Sequence, residues 1–172
     1  MKGFTHERVN SNAEWYTPKW VFDSLGAVFD LDPCSPGEGK SHVPASRHLT
    51  KQDDGLTTEW QGHVFCNPPY GRGIENWMRK CANHGDAIAL VPARTDTKWF
   101  YEAAKSADAV LFVKQRIKFH PGDKDAPNDG SPGAGNVLFA WGERSVRELQ
   151  NCSIPGIFYY NKEEKYEEVS GS

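Results

Sequence analysis

The sequence lacks the cysteine and histidine spacings that hold metals. Its four cysteines, Cys34, Cys66, Cys81 and Cys152, form no Cys-x-x-Cys pair, and its six histidines are scattered without a second ligand at a metal-binding interval. A zinc finger and a dithiol redox motif are excluded on those terms, and no metal is expected. A chain of 172 residues can bury a core of its own and needs no disulfide staples, so the thiols read as reduced ones in a cytoplasm. No apolar run approaches the length of a membrane span, and the opening Met1-Lys2-Gly3-Phe4-Thr5-His6 has no signal-peptide core. Neither membrane insertion nor export is expected. Positive charge is not in excess either: 20 Lys and Arg stand against 23 Asp and Glu, for a net charge of −3. Bulk attraction to phosphate is therefore missing, and any nucleic-acid footprint has to be local. No Ser-His-Asp or Cys-His arrangement and no internal repeat is visible.

What the sequence does have is a stretch where a strand gives way to a polar edge, Val64-Phe65-Cys66-Asn67-Pro68-Pro69-Tyr70-Gly71. Three apolar residues run into two prolines, which remove N–H donors and forbid helix, so a buried strand stops at Asn67. In open α/β sheets this end of the strands is where ligands bind. The Asn67 amide offers an acceptor, the Pro68 carbonyl has no competing ladder partner, Pro69 stiffens the turn, and Tyr70 supplies a flat stacking face. Such a set suits a planar heterocycle carrying an exocyclic amino group. One acceptor for each N–H aims the nitrogen lone pair at an incoming electrophile, the arrangement that methyl transfer to an amine needs. Cys66 beside it reads as a small buried strand residue, not as a nucleophile. Charge is segregated downstream: residues 92 to 124 carry seven basic side chains (Arg94, Lys98, Lys105, Lys114, Arg116, Lys118, Lys124) against four acidic ones (Asp96, Glu102, Asp108, Asp123).

The tetrad resembles the catalytic motif of amino-methyltransferases that use S-adenosylmethionine. Its neighbours narrow the likeness to the phage-type DNA N6-adenine methyltransferases of the Dam family: Trp15-Tyr16-Thr17-Pro18, Leu31-Asp32-Pro33, Asp54-Gly55-Leu56 with Trp60, Pro92-Ala93-Arg94 and Arg116-Ile117-Lys118-Phe119, in the family's order. The resemblance implies Asn67, Pro68, Pro69 and Tyr70 as catalytic residues. It implies S-adenosylmethionine held by Tyr16, Thr17, Pro18, Asp32, Pro33, Cys34 and Asp54, with Thr17-Pro18 beside its methionine end, Asp32 receiving the ammonium group and Asp54 bonding its adenine or sugar. Double-stranded DNA is the implied partner, contacted by Arg72, Arg94, Lys98, Arg116, Lys118, Phe119 and Asn136. The implied setting is a bacteriophage, prophage or restriction-modification system, with the enzyme expected to be a monomer or weak homodimer. The Gly-x-Gly loop of most methyltransferases is missing, and Cys34-Ser35-Pro36-Gly37-Glu38-Gly39 stands in its place. Read from the residues alone, Thr17-Pro18 is equally a helix N-cap followed by the first helical position, and Asp32-Pro33 and Asp54-Gly55 are equally turns. Three other functions stay open: methylation of an RNA base, methylation of a protein glutamine, and an inactive methyltransferase-like module kept for DNA binding.

Apolar runs that stop at proline alternate with amphipathic stretches, the clearest of them Ile74, Trp77, Met78 and Cys81, closed by Asn83-His84-Gly85. That alternation predicts one Rossmann-like α/β domain over residues 14–161, between a flexible segment 1–13 and a solvated tail 162–172. Its sheet is expected to be mostly parallel, trimmed between residues 35 and 62 where two full βα units would not fit. Residues 116–120 and 136–141 are expected to form an antiparallel C-terminal strand pair. The fifteen-residue connection Pro121 to Gly135, rich in glycine and proline, is longer than an ordinary hairpin loop and is expected to face DNA in place of a recognition domain.

Overall fold

The computed structural model describes residues 15–121 and 133–161. The expectations for the first segment, for the tail and for residues 122–132 of the long connection lie outside the described residues. In chain order the elements are β1 (Trp15–Tyr16), α1 (Lys19–Leu25), β2 (Phe29–Asp32), β3 (Ala45–His48), β4 (Val64–Cys66), α2 (Ile74–His84), β5 (Ala87–Pro92), α3 (Lys98–Ser106), β6 (Ala109–Val113), β7 (His120–Pro121), β8 (Asn136–Trp141), α4 (Glu143–Asn151) and β9 (Gly156–Tyr160).

Seven strands form one sheet in the order β3-β2-β4-β5-β8-β6-β9, while β1 and β7 pair as a separate antiparallel ribbon. The first four strands run parallel to one another, and β8 lies antiparallel between β5 and β6. Strands β4, β5 and β8 are buried at every residue, which is why they read in sequence as unbroken apolar runs. Side chains alternate between two cores. Phe65, Ile88, Leu90 and Leu138 join Phe22 of α1 and Leu149 of α4 on one face. Val64, Cys66, Ala89 and Val91 join Met78 and Cys81 of α2 and Phe100 of α3 on the other. Helix α2 ends where expected, at Gly85 with φ 74°, whose N–H returns to the Cys81 carbonyl. Among the described residues no helix is long and apolar enough to cross a membrane.

The single α/β domain with a mostly parallel sheet is what the alternation predicts. The trimming falls between β2 and β4, where β3 is reached and left through loops without a helix. One pairing differs from expectation. Residues 116–120 do not pair with β8; only β7 forms there, and it pairs with β1. The reason lies in burial: β8 is apolar on both faces and takes a central place with a neighbour on each side, whereas residues 116–119 alternate, with Ile117 and Phe119 buried and Arg116 and Lys118 exposed. The antiparallel strands of the C-terminal half are β8 and the edge strand β9.

From β2 the chain moves outward to β3 and then returns to the other side of β2 to form β4, so the strand order reverses between β2 and β4. A crevice opens at the carboxyl ends of strands that part in this way. Asp32-Pro33 leaves β2 there and Asn67-Pro68 leaves β4 beside it.

Candidate active site

The prolines of the tetrad do what their chemistry requires. Strand β4 ends at Cys66, Pro68 is buried under the turn, and Pro69 is exposed. Asn67 is thereby pushed out of the ladder while still packed against the N-terminal ribbon. Its Nδ2 donates to the Trp15 carbonyl at 3.0 Å and to Thr17 Oγ1 at 3.1 Å. Its Oδ1 is buried and has no hydrogen-bond partner among the described residues.

Tyr70 is half-buried, its ring edge-to-face with Phe119 at 6.3 Å and 86°. Its hydroxyl accepts from Asn136 Nδ2 at 3.4 Å, and the same amide donates to the Val91 carbonyl at 3.3 Å. Burial drives the Tyr70 phenol far above its ordinary pKa, so it stays neutral and presents a ring, not a base. The neighbouring thiols are equally inert: burial raises Cys34 and pushes Cys66 and Cys81 up strongly, with Cys34 and Cys66 sulfurs 3.9 Å apart.

A cleft of about 160 Å³ opens over this arrangement. It is lined by Asn67, Pro68, Pro69 and Tyr70 together with Tyr16, Pro33, Cys34, Ser35 and Pro36, and by Thr50, Lys51, Trp15 and Trp77. The residues expected to hold an amine and several of those expected to hold a methyl donor thus line one crevice.

Residues 5–169 match the family described as DNA N-6-adenine-methyltransferase (Dam). The chain belongs to that family. A relative, the DNA N-6-adenine-methyltransferase of Escherichia phage T1, is 25% identical over 160 residues, an alignment covering 79% of this chain and 65% of the relative. The chain therefore spans less than two thirds of that relative's length. No solved structure matches it.

Within this Dam-family chain the other expected site residues fall into three groups. The first sits behind the cleft. Asp32 is buried, its carboxylate accepting from the Cys34 N–H at 3.2 Å and the Ser41 hydroxyl at 3.4 Å and lying 3.5 Å from His48 Nδ1. That bond raises the His48 pKa, against the opposing pull of burial. Asp32 thus shapes the Pro33-Cys34 turn from within and does not line the cleft. Thr17 and Pro18 are likewise buried and do not line it. Pro18, not Thr17, is the N-cap residue of α1, and the Thr17 hydroxyl accepts from Asn67 instead of capping the helix.

The second group is away from the cleft. Asp54 is exposed in a turn at φ 50°, its carboxylate accepting the Leu56 N–H, and it does not line the cleft. The turn is instead fastened from α2: Lys80 Nζ donates to the carbonyls of Gly55, Leu56 and Thr58 at 3.0, 2.8 and 2.6 Å, and Trp60 Nε1 donates to the Gly55 carbonyl at 2.8 Å.

The third group was expected at DNA. Arg72, Arg94, Lys98, Arg116 and Lys118 are exposed, with Arg94 and Asp96 3.9 Å apart and Arg116 donating to the Gly133 carbonyl. Phe119 and Asn136 differ from that expectation, being buried at 0% and 2% exposure. Strand alternation turns Phe119 inward and Asn136 opens the central strand β8, so both reach the site through Tyr70. Four elements of the site carry no local sequence signal: the Trp15 carbonyl, the Asn136–Tyr70 bond, the Lys80 clamp, and the Thr50-Lys51 part of the cleft lining. Among the described residues no group of three or more His, Cys, Asp or Glu could hold a metal ion.

Proposed function

We propose that this chain transfers a methyl group from S-adenosylmethionine to the N6 amino group of adenine in double-stranded DNA, the base being turned out of the duplex into the cleft. The observation that carries the reading is the Asn67 carboxamide, whose nitrogen is held twice while its oxygen is buried unpaired. An unpaired buried acceptor costs about 1–3 kcal/mol, and an amine N–H recovers it. The family and the phage T1 relative support the same substrate class.

In this reading Asn67 Oδ1 and the Pro68 carbonyl each accept one hydrogen of the amine, and the Tyr70 ring, braced by Phe119 and Asn136, stacks on the base. Tyr16, Pro33 and Cys34, with Ser35, Thr50 and Lys51, line the same cleft and fit the methyl donor, and Asp32 keeps the Pro33-Cys34 turn in shape. When bound, S-adenosylmethionine supplies the electrophilic methyl group. The tetrad offers no base near neutrality, since the Tyr70 phenol is pushed up by burial. Its contribution is positioning, an effect worth ~7–11 kcal/mol when two reactants are held with aligned orbitals. Arg72, Arg94, Lys98, Arg116 and Lys118 supply phosphate contacts that set the register of the duplex without reading its sequence. The connection at residues 121–135 is the element proposed to stand in for a recognition domain.

The test is methyl transfer from labelled S-adenosylmethionine onto unmethylated duplex DNA, tRNA and a release factor, followed by digestion. Label in N6-methyldeoxyadenosine is expected; label confined to RNA or to glutamine overturns the substrate assignment.

A further inference from the structure

We infer that Thr17 is a positioning residue whose hydroxyl holds the Asn67 carboxamide in the orientation that the Trp15 carbonyl selects, oxygen toward the substrate amine; this rests on the methyl-transfer reading above. The two ends of a carboxamide are nearly the same shape and opposite in hydrogen bonding. With the oxygen forward, Asn67 accepts from an amine. With the nitrogen forward, it sets N–H against N–H, and the amine loses the contact that aims its lone pair. A methyltransferase built on asparagine therefore needs a device that tells the two orientations apart.

The N-terminal ribbon supplies it. The Trp15 carbonyl can only accept, so at 3.0 Å it admits Nδ2 and repels Oδ1. The Thr17 hydroxyl takes the second Nδ2 hydrogen at 3.1 Å, which uses up both donors and fixes the amide plane. Neither partner is free to drift. Strand β1 is paired with β7 in the register Trp15 to Pro121 and Tyr16 to His120, and the Trp15 ring packs edge-on against Phe119 at 6.3 Å. Thr17 is 4% exposed, out of reach of competing water. It does not line the cleft, although Trp15 and Tyr16 on the same ribbon do. Its hydroxyl is thus spent on the asparagine and not on a ligand in the crevice. Among the described residues Oδ1 is the one polar end of Asn67 left without a partner, and it is the end the reaction requires.

Thr17→Val keeps the shape and removes the acceptor; Thr17→Ser keeps the acceptor and removes a methyl group. Losing the lock should lower kcat in Thr17→Val on the order of 10- to 100-fold, matching the ~1–3 kcal/mol of a buried group left unpaired. KM for DNA and calorimetric affinity for S-adenosylmethionine should hold, and Thr17→Ser should restore kcat. A loss of cofactor affinity in step with kcat would place the hydroxyl at the ligand and overturn the inference. So would equal impairment in valine and serine, which marks packing alone, or wild-type kcat in the valine variant. A second readout needs neither turnover nor a variant: the Asn67 side-chain amide protons, followed by NMR in isotope-labelled wild-type protein, should exchange slowly. Exchange as fast as that of an exposed asparagine means there is no lock. Asn67→Ala run beside these separates the two claims, since a fully active Asn67→Ala sinks the methyl-transfer reading, whereas a freely exchanging amide sinks only the lock.

Discussion

Replacing Lys80 by methionine should loosen the cleft from a distance. The ammonium has three N–H donors, and they meet three carbonyls, those of Gly55, Leu56 and Thr58, while Nζ also stands 4.9 Å over the Trp60 ring. Methionine keeps most of the stem and removes every one of these contacts. Hydrogen bonds from a charged donor contribute ~1.5–3 kcal/mol each when counted singly, but the turn is partly solvated and its carbonyls can return to water. The net loss is therefore close to that of one such bond plus ~0.5–1 kcal/mol of cation–π attraction, about 2–4 kcal/mol in all. For a domain of this size that lowers Tm by roughly 5–15 °C. The turn backs the cleft, because Gly55 packs beneath the Pro33 carbonyl and the Trp77 ring. Affinity for S-adenosylmethionine should fall with the loss of the turn, while the Tyr70 side of the site is untouched. Circular dichroism melting and cofactor calorimetry on Lys80→Met measure both effects. A Tm within a degree or two of wild type would refute the claim that Lys80 holds the turn.

Three further outcomes follow from the same contacts. Gly55→Ala places a Cβ against the Pro33 carbonyl oxygen and 2.9 Å from Trp77, so urea unfolding should show a loss of ~1–3 kcal/mol, and an unchanged midpoint would contradict the close approach. Single alanine replacements at Arg72, Arg94 and Lys98 should weaken DNA binding alike across sequences and each reduce the slope of log K against log salt by about 1, as for phosphate contacts; a change in sequence preference would instead assign base reading. Stability should have an acid and an alkaline edge. His48, raised above its ordinary 6.5 by the bond to Asp32, contributes stability that is full below 6.5 and lost as pH rises through its folded value. For Asp86, burial pulls upward but the Arg144 hydrogen bond and His63 outweigh it, and the net value lies below 3.8; its contribution is full above 3.8 and lost as pH falls through the folded value. Tm measured against pH should therefore be highest between these limits, and His48→Gln should flatten the alkaline edge only.

The parts of the fold written in short-range chemistry were readable in the sequence. Two prolines after Val64-Phe65-Cys66 end a strand wherever it lies, and Ile74, Met78 and Cys81 can share a core only on a helix. What escaped was decided by pairing over long distances. The ribbon of β1 and β7 has two residues in each strand, too few to carry a period, yet it holds the Asn67 nitrogen. The central place of β8 depends on which edges the other strands leave open, and with it goes the position of Asn136 against Tyr70. Lys80 looks in sequence like any solvated helix lysine. Asp32-Pro33 looks like a motif acid facing a ligand, and only the return of β3 brings His48 to its carboxylate.

The central claim is that Asn67 holds the substrate amine and leaves methyl-donor binding to other residues of the cleft. It is tested most directly by comparing wild type and Asn67→Ala for labelled methyl transfer to duplex DNA and, on the same preparations, for S-adenosylmethionine binding by calorimetry. The account predicts that Asn67→Ala loses methylation and binds S-adenosylmethionine like wild type. Methylation by Asn67→Ala at close to the wild-type rate would contradict it.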